Sequence, residues 1–184
     1  MNIVFTRSER PTLGVEIECQ VVDEAGALTT DTAATKILAA LGDDTAYKHE
    51  LLECTIEVIT GVCQNVDEVR ADMGAKVERL IDAADGLGYR ILCTGTHPFS
   101  AWADQTVSPD PRYHRLIENC QWTARRLLIF GVHTHVGVGS GEEAIAVANG
   151  LSTFIPHFLA LSSSSPFWQG RDTGLASVRS KIFE

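Results

Sequence analysis

The sequence predicts an α+β fold, a sheet with helices on one face and a solvated, functional face on the other. Three observations carry that expectation. GVEIECQVVD (14–23) and VHTHVGVG (132–139) alternate β-branched and polar residues, the period-2 pattern of a half-buried strand. NVDEVRADMGAKVERLIDAA (65–84) repeats apolar residues at the period of an amphipathic helix. The element order, β-α-β-α-β-loop-α-β-α, is mixed and not strictly alternating, and half-polar strands leave one sheet face wet.

Each element follows from local chemistry. The first strand spans 12–23 and ends in a turn at Glu24-Ala-Gly26. Asp31 is placed to cap a short helix over 32–41, with Gly42 as its stop. HELLECTIEVITGV (49–62) reads two ways: its start suits a helix, whereas TIEVIT is β-branched and favours a strand. A helix over 65–86 opens on a capping box, Asn65 with Glu68, and carries Val66, Val69, Met73, Val77, Leu80, Ile81 and Ala84 as its apolar stripe. Arg90–Thr94 is a short strand. Residues 95–112, rich in Pro, Gly and Ser, form a long loop of a length that is often functional. A helix over 112–126 follows, then a strand through LLIFGVHTHVGVG, then helical runs at 141–149 and 151–161, the second bent or broken by Pro156. From residue 162 the pattern is loop-like, with no terminating element. Neither a repeat nor an interdomain linker divides the chain, so residues 1–184 read as a single domain.

Composition narrows the function classes. At 184 residues, 45% hydrophobic and 21% charged, the chain is an ordinary globular one. No apolar run reaches the roughly 18 residues that cross a bilayer, and the N-terminus lacks a signal-like stretch, so no membrane partner and a cytoplasmic location are expected. A net charge of −9 argues against nucleic acid as partner. A small anionic ligand such as a nucleotide is still compatible, given metal ions or local Arg and Lys. The five cysteines form no CxxC pair and read as reduced core residues, with a metal or disulfide role as the alternative.

Three polar clusters sit on the expected strands. Glu16 and Glu18 share a strand face, a repulsive arrangement unless the face is open to water or a cation lies between them. Glu50, Glu53 and Glu57 form the second cluster; on a strand over 52–60, Glu53, Thr55 and Glu57 would share a face. His133 and His135 form the third, opposite Val132, Thr134, Val136 and Val138. Several carboxylates with one or two imidazoles suit Mg²⁺ or Mn²⁺, and magnesium completes its shell with water and phosphate oxygens, which points toward a nucleotide. Each feature also has a plainer reading: solvated strand glutamates, a cross-strand His pair, the outer face of a helix for Glu50 and Glu53, and a turn-fixing His97 before Pro98. No GxxxxGK[ST], GxGxxG or GxSxG motif is present, so phosphate-loop, dinucleotide-fold and serine-nucleophile mechanisms lack support.

GVEIECQVVD, ELLECTIEVITGVC, GTHPFSAW, RYHRLIENCQWTARRLLIFGVHTHVGV and SSSSPFWQGRDTGLASVRSKIFE occur in that order. Together they resemble the glutamate–cysteine ligase type 2 family, in particular its carboxylate–amine ligase branch, through nearly the whole chain. The resemblance implies a curved antiparallel sheet of the glutamine-synthetase-like kind, and an enzyme that uses ATP and Mg²⁺ to join the γ-carboxyl of glutamate to an amine such as cysteine. It implies Glu16, Glu18 and Glu57 as metal ligands, Glu50 as an upstream acidic ligand, and His133 as a metal- or phosphate-contacting residue. His135, His97 and Tyr113 are implied at the substrate, and Arg112 and Arg179 at the substrate or phosphates. ATP would convert the carboxylate to an acyl phosphate, which the amine then attacks.

Family members continue for about another half beyond KIFE, so the chain is expected to be the N-terminal portion of a longer catalytic domain. A sheet edge left uncovered invites pairing, with a second copy or with a chain that supplies the remaining half. Two rivals stay open at this stage: a divalent-metal hydrolase using the same ligands on water, and a non-catalytic nucleotide- or metal-binding fragment that needs a partner.

Overall fold

The computed structural model describes residues 4–183. β1 (Thr12–Val22) is the spine of the fold. Its odd-numbered residues, among them Val15, Ile17, Cys19 and Val21, turn toward two helices, and its even-numbered Glu16, Glu18 and Gln20 turn the other way. α1 (Ala33–Leu41) and α2 (Val66–Asp85) cover the odd face. There Ile37, Ile56, Val58 and Leu80 are buried without residual exposure around Cys19 and Val21.

Between those helices lie β2 (Tyr47–His49) and β3 (Thr55–Ile59), so HELLECTIEVITGV resolves into strand, turn and strand. β4 (Arg90–Leu92) follows α2. Past a loop holding a single 3₁₀ turn (Trp102–Asp104), α3 (Pro111–Cys120) and α4 (Trp122–Arg125) precede β5 (Val132–Gly137). The sheet runs β2-β3-β1-β4, with β5 also paired to β1, and every pairing is antiparallel. β4 pairs with Gln20–Val22 and β5 with Thr12–Ile17, so the two strands follow one another along one side of β1. Glu18 falls in the gap between them, where its N–H donates to Gly131 O at 3.0 Å.

α5 (Gly141–Ser152) and α6 (Ile155–Leu161) come next, bent by 68° at a break over Thr153 and Phe154. Pro156 therefore begins the second helix and does not interrupt it. A small hairpin of β6 (Phe167–Trp168) and β7 (Arg171–Asp172) leads into α7 (Arg179–Phe183), so the chain does carry a helical element where the sequence read as loop. Among the described residues no single helix is long and apolar enough to cross a membrane.

Three expectations need correction. Asp31 does not cap α1: it pairs with Lys36 and accepts a hydrogen bond from the Tyr89 hydroxyl. The free amides of α1 are met from across the fold, Ala34 N–H donating to Glu53 O and Thr35 N–H to Glu53 Oε2, both at 3.0 Å. A buried carboxylate at the positive end of a helix is a favourable pairing that local sequence cannot reveal. Glu53 consequently stands apart from the Thr55–Ile59 strand and does not share a face with Glu57. Finally, the helix over 112–126 breaks at Gln121, which adopts φ 48°, and the break brings Trp122 edge-on to Trp102.

Helices are not confined to the odd face. Tyr113 and Ile117 of α3 pack with Leu51, Leu52, Leu128 and Phe130 in a second, smaller core bordering the carboxylates. Of the cysteines, 19, 54 and 63 are buried and 93 and 120 are exposed.

Candidate functional site: a carboxylate–imidazole cluster on the open sheet face

Strand register assembles the cluster. Glu16 lies opposite His133 across the β1–β5 ladder, and Gly14 lies opposite His135. On the other side of β1, Glu18 lies opposite Glu57, which in turn lies opposite Lys48 of β2. Period-2 alternation sends all these side chains to one face. The result is that Glu16, Glu57 and His133, from three different strands, each offer a donor atom within 4.8 Å of the others.

The metal-free cluster is unevenly balanced. Glu16 receives both imidazoles, with His133 Nδ1 at 3.3 Å from Oε2 and His135 Nε2 at 3.4 Å from Oε1. Partial burial works against its charge, but hydrogen bonds from His135 and His133 outweigh it and hold the carboxyl below its ordinary range. Glu57 shows the reverse. Burial raises its pKa, and the nearby charges of Glu16 and Glu50 raise it further, with Lys48 giving only partial relief. Glu18 is likewise raised, by burial first and by Glu50, although Gly131 N–H donates to its Oε2 at 2.7 Å. Carboxylates crowded this way favour a cation among them. The donor set of two carboxylate oxygens and an imidazole nitrogen fits Mn²⁺ or Mg²⁺, with open positions for water or substrate oxygen.

Two cavities meet at this cluster. One, of about 510 Å³, is lined by Cys93, Thr94, Ser177 and others. The second, of about 350 Å³, is lined by Glu50, Thr55 and Tyr113. Glu18, His133 and Arg179 border both. Arg179, at the start of α7, is held there by donating from Nε to Phe130 O at 2.8 Å. Gly131 makes that approach possible, because a Cβ at its position would lie 2.9 Å from Arg179 Nη2 and 3.1 Å from His133 Nε2. No sequence pattern singled out Gly131; its only signal is a glycine directly before an HxH strand.

The remaining candidates divide. Glu50 borders the second cavity and accepts from Leu51 N–H at 2.9 Å. Tyr113 also borders it, with its hydroxyl donating to His49 O at 2.9 Å, and burial followed by the charge of Glu50 pushes its pKa up to about 12. Arg112 stacks on the Tyr113 ring, donates to its hydroxyl and pairs with Asp110, reaching the site only through Tyr113. His97 is not brought to the cluster. It is fully buried, with Ser100 N–H donating to Nδ1 at 3.0 Å and Nε2 at 2.9 Å from Gly26 O, the geometry of a residue that fixes a turn.

The fold and site define an α+β protein whose antiparallel sheet carries an acidic, imidazole-flanked open face. It matches a Francisella tularensis glutamate–cysteine ligase solved in complex with AMP, at TM-score 0.58 and 15% identity over 80% of this chain and 30% of that one. It also matches a bifunctional glutathione synthetase from Pasteurella multocida, at TM-score 0.64 and 14% identity over 86% of this chain and 24% of that one. The particular family is given by sequence: the chain belongs to Glutamate-cysteine ligase family 2, which matches residues 12–184. Relatives include "Putative glutamate--cysteine ligase 2" of Thermobifida fusca, 52% identical over all of this chain and 47% of the relative. "Putative glutamate--cysteine ligase 2-1" of Frankia alni is 50% identical over all of this chain and 49% of its own length. The chain thus spans about half the length of the curated relatives it matches.

Proposed function

We propose that residues 1–184 are the N-terminal portion of a single carboxylate–amine ligase domain that forms a γ-glutamyl amide from glutamate, an amine such as cysteine, and ATP. The observation that carries this reading is the convergence of Glu16, Glu57 and His133 from three strands, in a chain of this family. That the Francisella ligase was solved in complex with AMP supports a nucleotide as ligand.

In this reading Glu16, Glu57 and His133 hold Mg²⁺ or Mn²⁺, with Glu18 and Glu50 beside them. The bound ion would neutralise phosphate charge that would otherwise repel the incoming carboxylate. Glu18 is oriented by the Gly131 amide, which keeps its second oxygen turned toward the cluster. Arg179, anchored on Phe130 O, offers its remaining guanidinium donors to anionic oxygens in the two cavities. Tyr113 and His135 border the substrate, and Arg112 acts by holding Tyr113. Glutamate's γ-carboxylate takes the terminal phosphoryl group, releasing ADP, and the amine displaces phosphate from the acyl phosphate. Little covalent work falls to the side chains; positioning and electrostatics supply the rate.

The other half of such a domain would pack on β5 and the α5–α6 pair. Val132 and Val136 are exposed on the side of β5 that matches the buried face of β1, and neither helix buries a residue among those described. The test is Mg²⁺-dependent ADP release with glutamate and a panel of amines. It is run on this chain alone and with a polypeptide covering the remainder of the Thermobifida relative. The proposal expects ADP from the combination and none after Glu57→Gln. No ADP from the combination with any amine contradicts it.

A further inference from the structure

Next to Glu18, between β1 and the end of β4, lies a pair of thiols that the ligase reading does not use. The β1–β4 pairing ends at Gln20 and Leu92, and Cys19 and Cys93 are the residues directly beyond that last pair. Facing residues of an antiparallel pair lie about 4.5–5.5 Å apart at Cα, within the span of about 4.4–6.8 Å that a disulfide bridges. The two sulfurs are already 3.7 Å apart. Their surroundings differ sharply. Cys19 is buried in the α1–α2 core without residual exposure, whereas Cys93 is exposed and lines the larger cavity together with Thr94, His133 and Arg179.

We propose that Cys93 and Cys19 form a reactive dithiol, with Cys93 as the attacking thiol of the cavity and Cys19 as its resolving partner. The substrate class is a low-molecular-weight disulfide, R–S–S–R. Cys93 thiolate attacks one sulfur, forming a Cys93–S–S–R bond and expelling R–S⁻, which takes up the proton Cys93 lost. Cys19, deprotonated as it attacks, then bonds to the Cys93 sulfur and expels the second R–SH. The two protein thiols are oxidised by two electrons, and the small disulfide is reduced to two thiols. The exposure of Cys93 to the cavity, against the full burial of Cys19, favours the attacking role for Cys93. The consequence is that a thiol adduct cannot remain in the cavity beside Glu18, because the buried partner clears it. The inference does not rest on the ligase reading.

The experiment treats the chain with bis(2-hydroxyethyl) disulfide, blocks free thiols and maps peptides without reduction. The expected result is a peptide pair joined through Cys19 and Cys93 and lighter by two hydrogens. Exposed Cys120 should carry only the mixed disulfide with 2-hydroxyethanethiol. Cys93→Ser, at an exposed position, removes the cross-link and leaves Cys19 unmodified. Cys19→Ser traps a stable adduct on Cys93. Finding the reagent retained on Cys93 of the unaltered chain, or Cys93 unmodified while Cys120 reacts, would overturn the proposal.

Discussion

The two flanks of β1 are built to different standards. Toward β3 the sheet is backed by α1 and α2, and Ile37, Ile56 and Leu80 have no residual exposure. Toward β5 the corresponding apolar positions lie open, with Val132 at 64% exposure, and α6 leaves Phe158 at 50%. The candidate metal ligands come from both flanks, Glu57 from the packed one and His133 from the open one, with Glu16 on the spine between. Fold stability should therefore reside in one flank while cation binding requires both.

The largest effect should come from the packed flank. Leu80→Ala removes a side chain from a fully buried position and is expected to cost about 2–5 kcal/mol in chemical denaturation. Retained stability there would show that the helix layer is not the principal core. Next is Glu53, buried at the amino end of α1. Glu53→Ala strands the Thr35 N–H and the Thr35 hydroxyl and should cost about 1–3 kcal/mol, whereas Asp31→Ala, at the position local sequence favours for the cap, should cost less than about 1 kcal/mol.

A smaller loss depends on pH. Burial holds His97 below its ordinary value of 6.5, more strongly than its contact with Gly26 O raises it. The folded state thus prefers the neutral ring. Its contribution is full above the unfolded pKa and is lost as pH falls from that value through the folded one. His97→Gln should flatten this part of the profile of melting temperature between about pH 7.5 and about pH 5, and an unchanged slope would remove His97 from the account. Smallest of all is Phe158→Ala on the open flank, expected within about 0.5 kcal/mol of the parent chain in the same denaturation. A loss comparable to that of Leu80→Ala would erase the difference between the flanks.

Much of this was legible in sequence because it rests on short periods. The faces of β1, the Met73, Leu80 and Ala84 part of the α2 stripe and the HxH strand follow from alternation alone, whereas Val66 and Ile81, expected on that stripe, are exposed; the Asn65 cap forms as expected, with Glu68 N–H donating to Asn65 Oδ1 at 2.9 Å. What stayed hidden depends on residues far apart in the chain. The register that sets Glu16 against His133, the cap that Glu53 supplies to α1, and the close approach that requires Gly131 all span tens of residues. Glu53 illustrates the cost of a local reading: its spacing from Glu57 suggests a shared face, but a turn between them sends it into the core. His97 shows the same in reverse, where a motif resemblance implied a substrate contact and tertiary hydrogen bonds occupy both ring nitrogens.

We propose that Glu16, Glu57 and His133 form a divalent-cation site in which the Glu57 carboxylate is repelled by Glu16 and Glu50 until an ion arrives. It is tested most directly by titrating Mn²⁺ into the chain and reading free ion by electron paramagnetic resonance, with melting curves of the metal-free and loaded forms. The account predicts saturable binding that weakens at least about tenfold in Glu57→Gln and in His133→Ala. In the metal-free state it also predicts that Glu57→Gln melts higher than the parent chain, because a carboxylate whose pKa is raised on folding is destabilising when ionised. Equal Mn²⁺ binding in all three proteins, or a metal-free Glu57→Gln that melts lower, would contradict it.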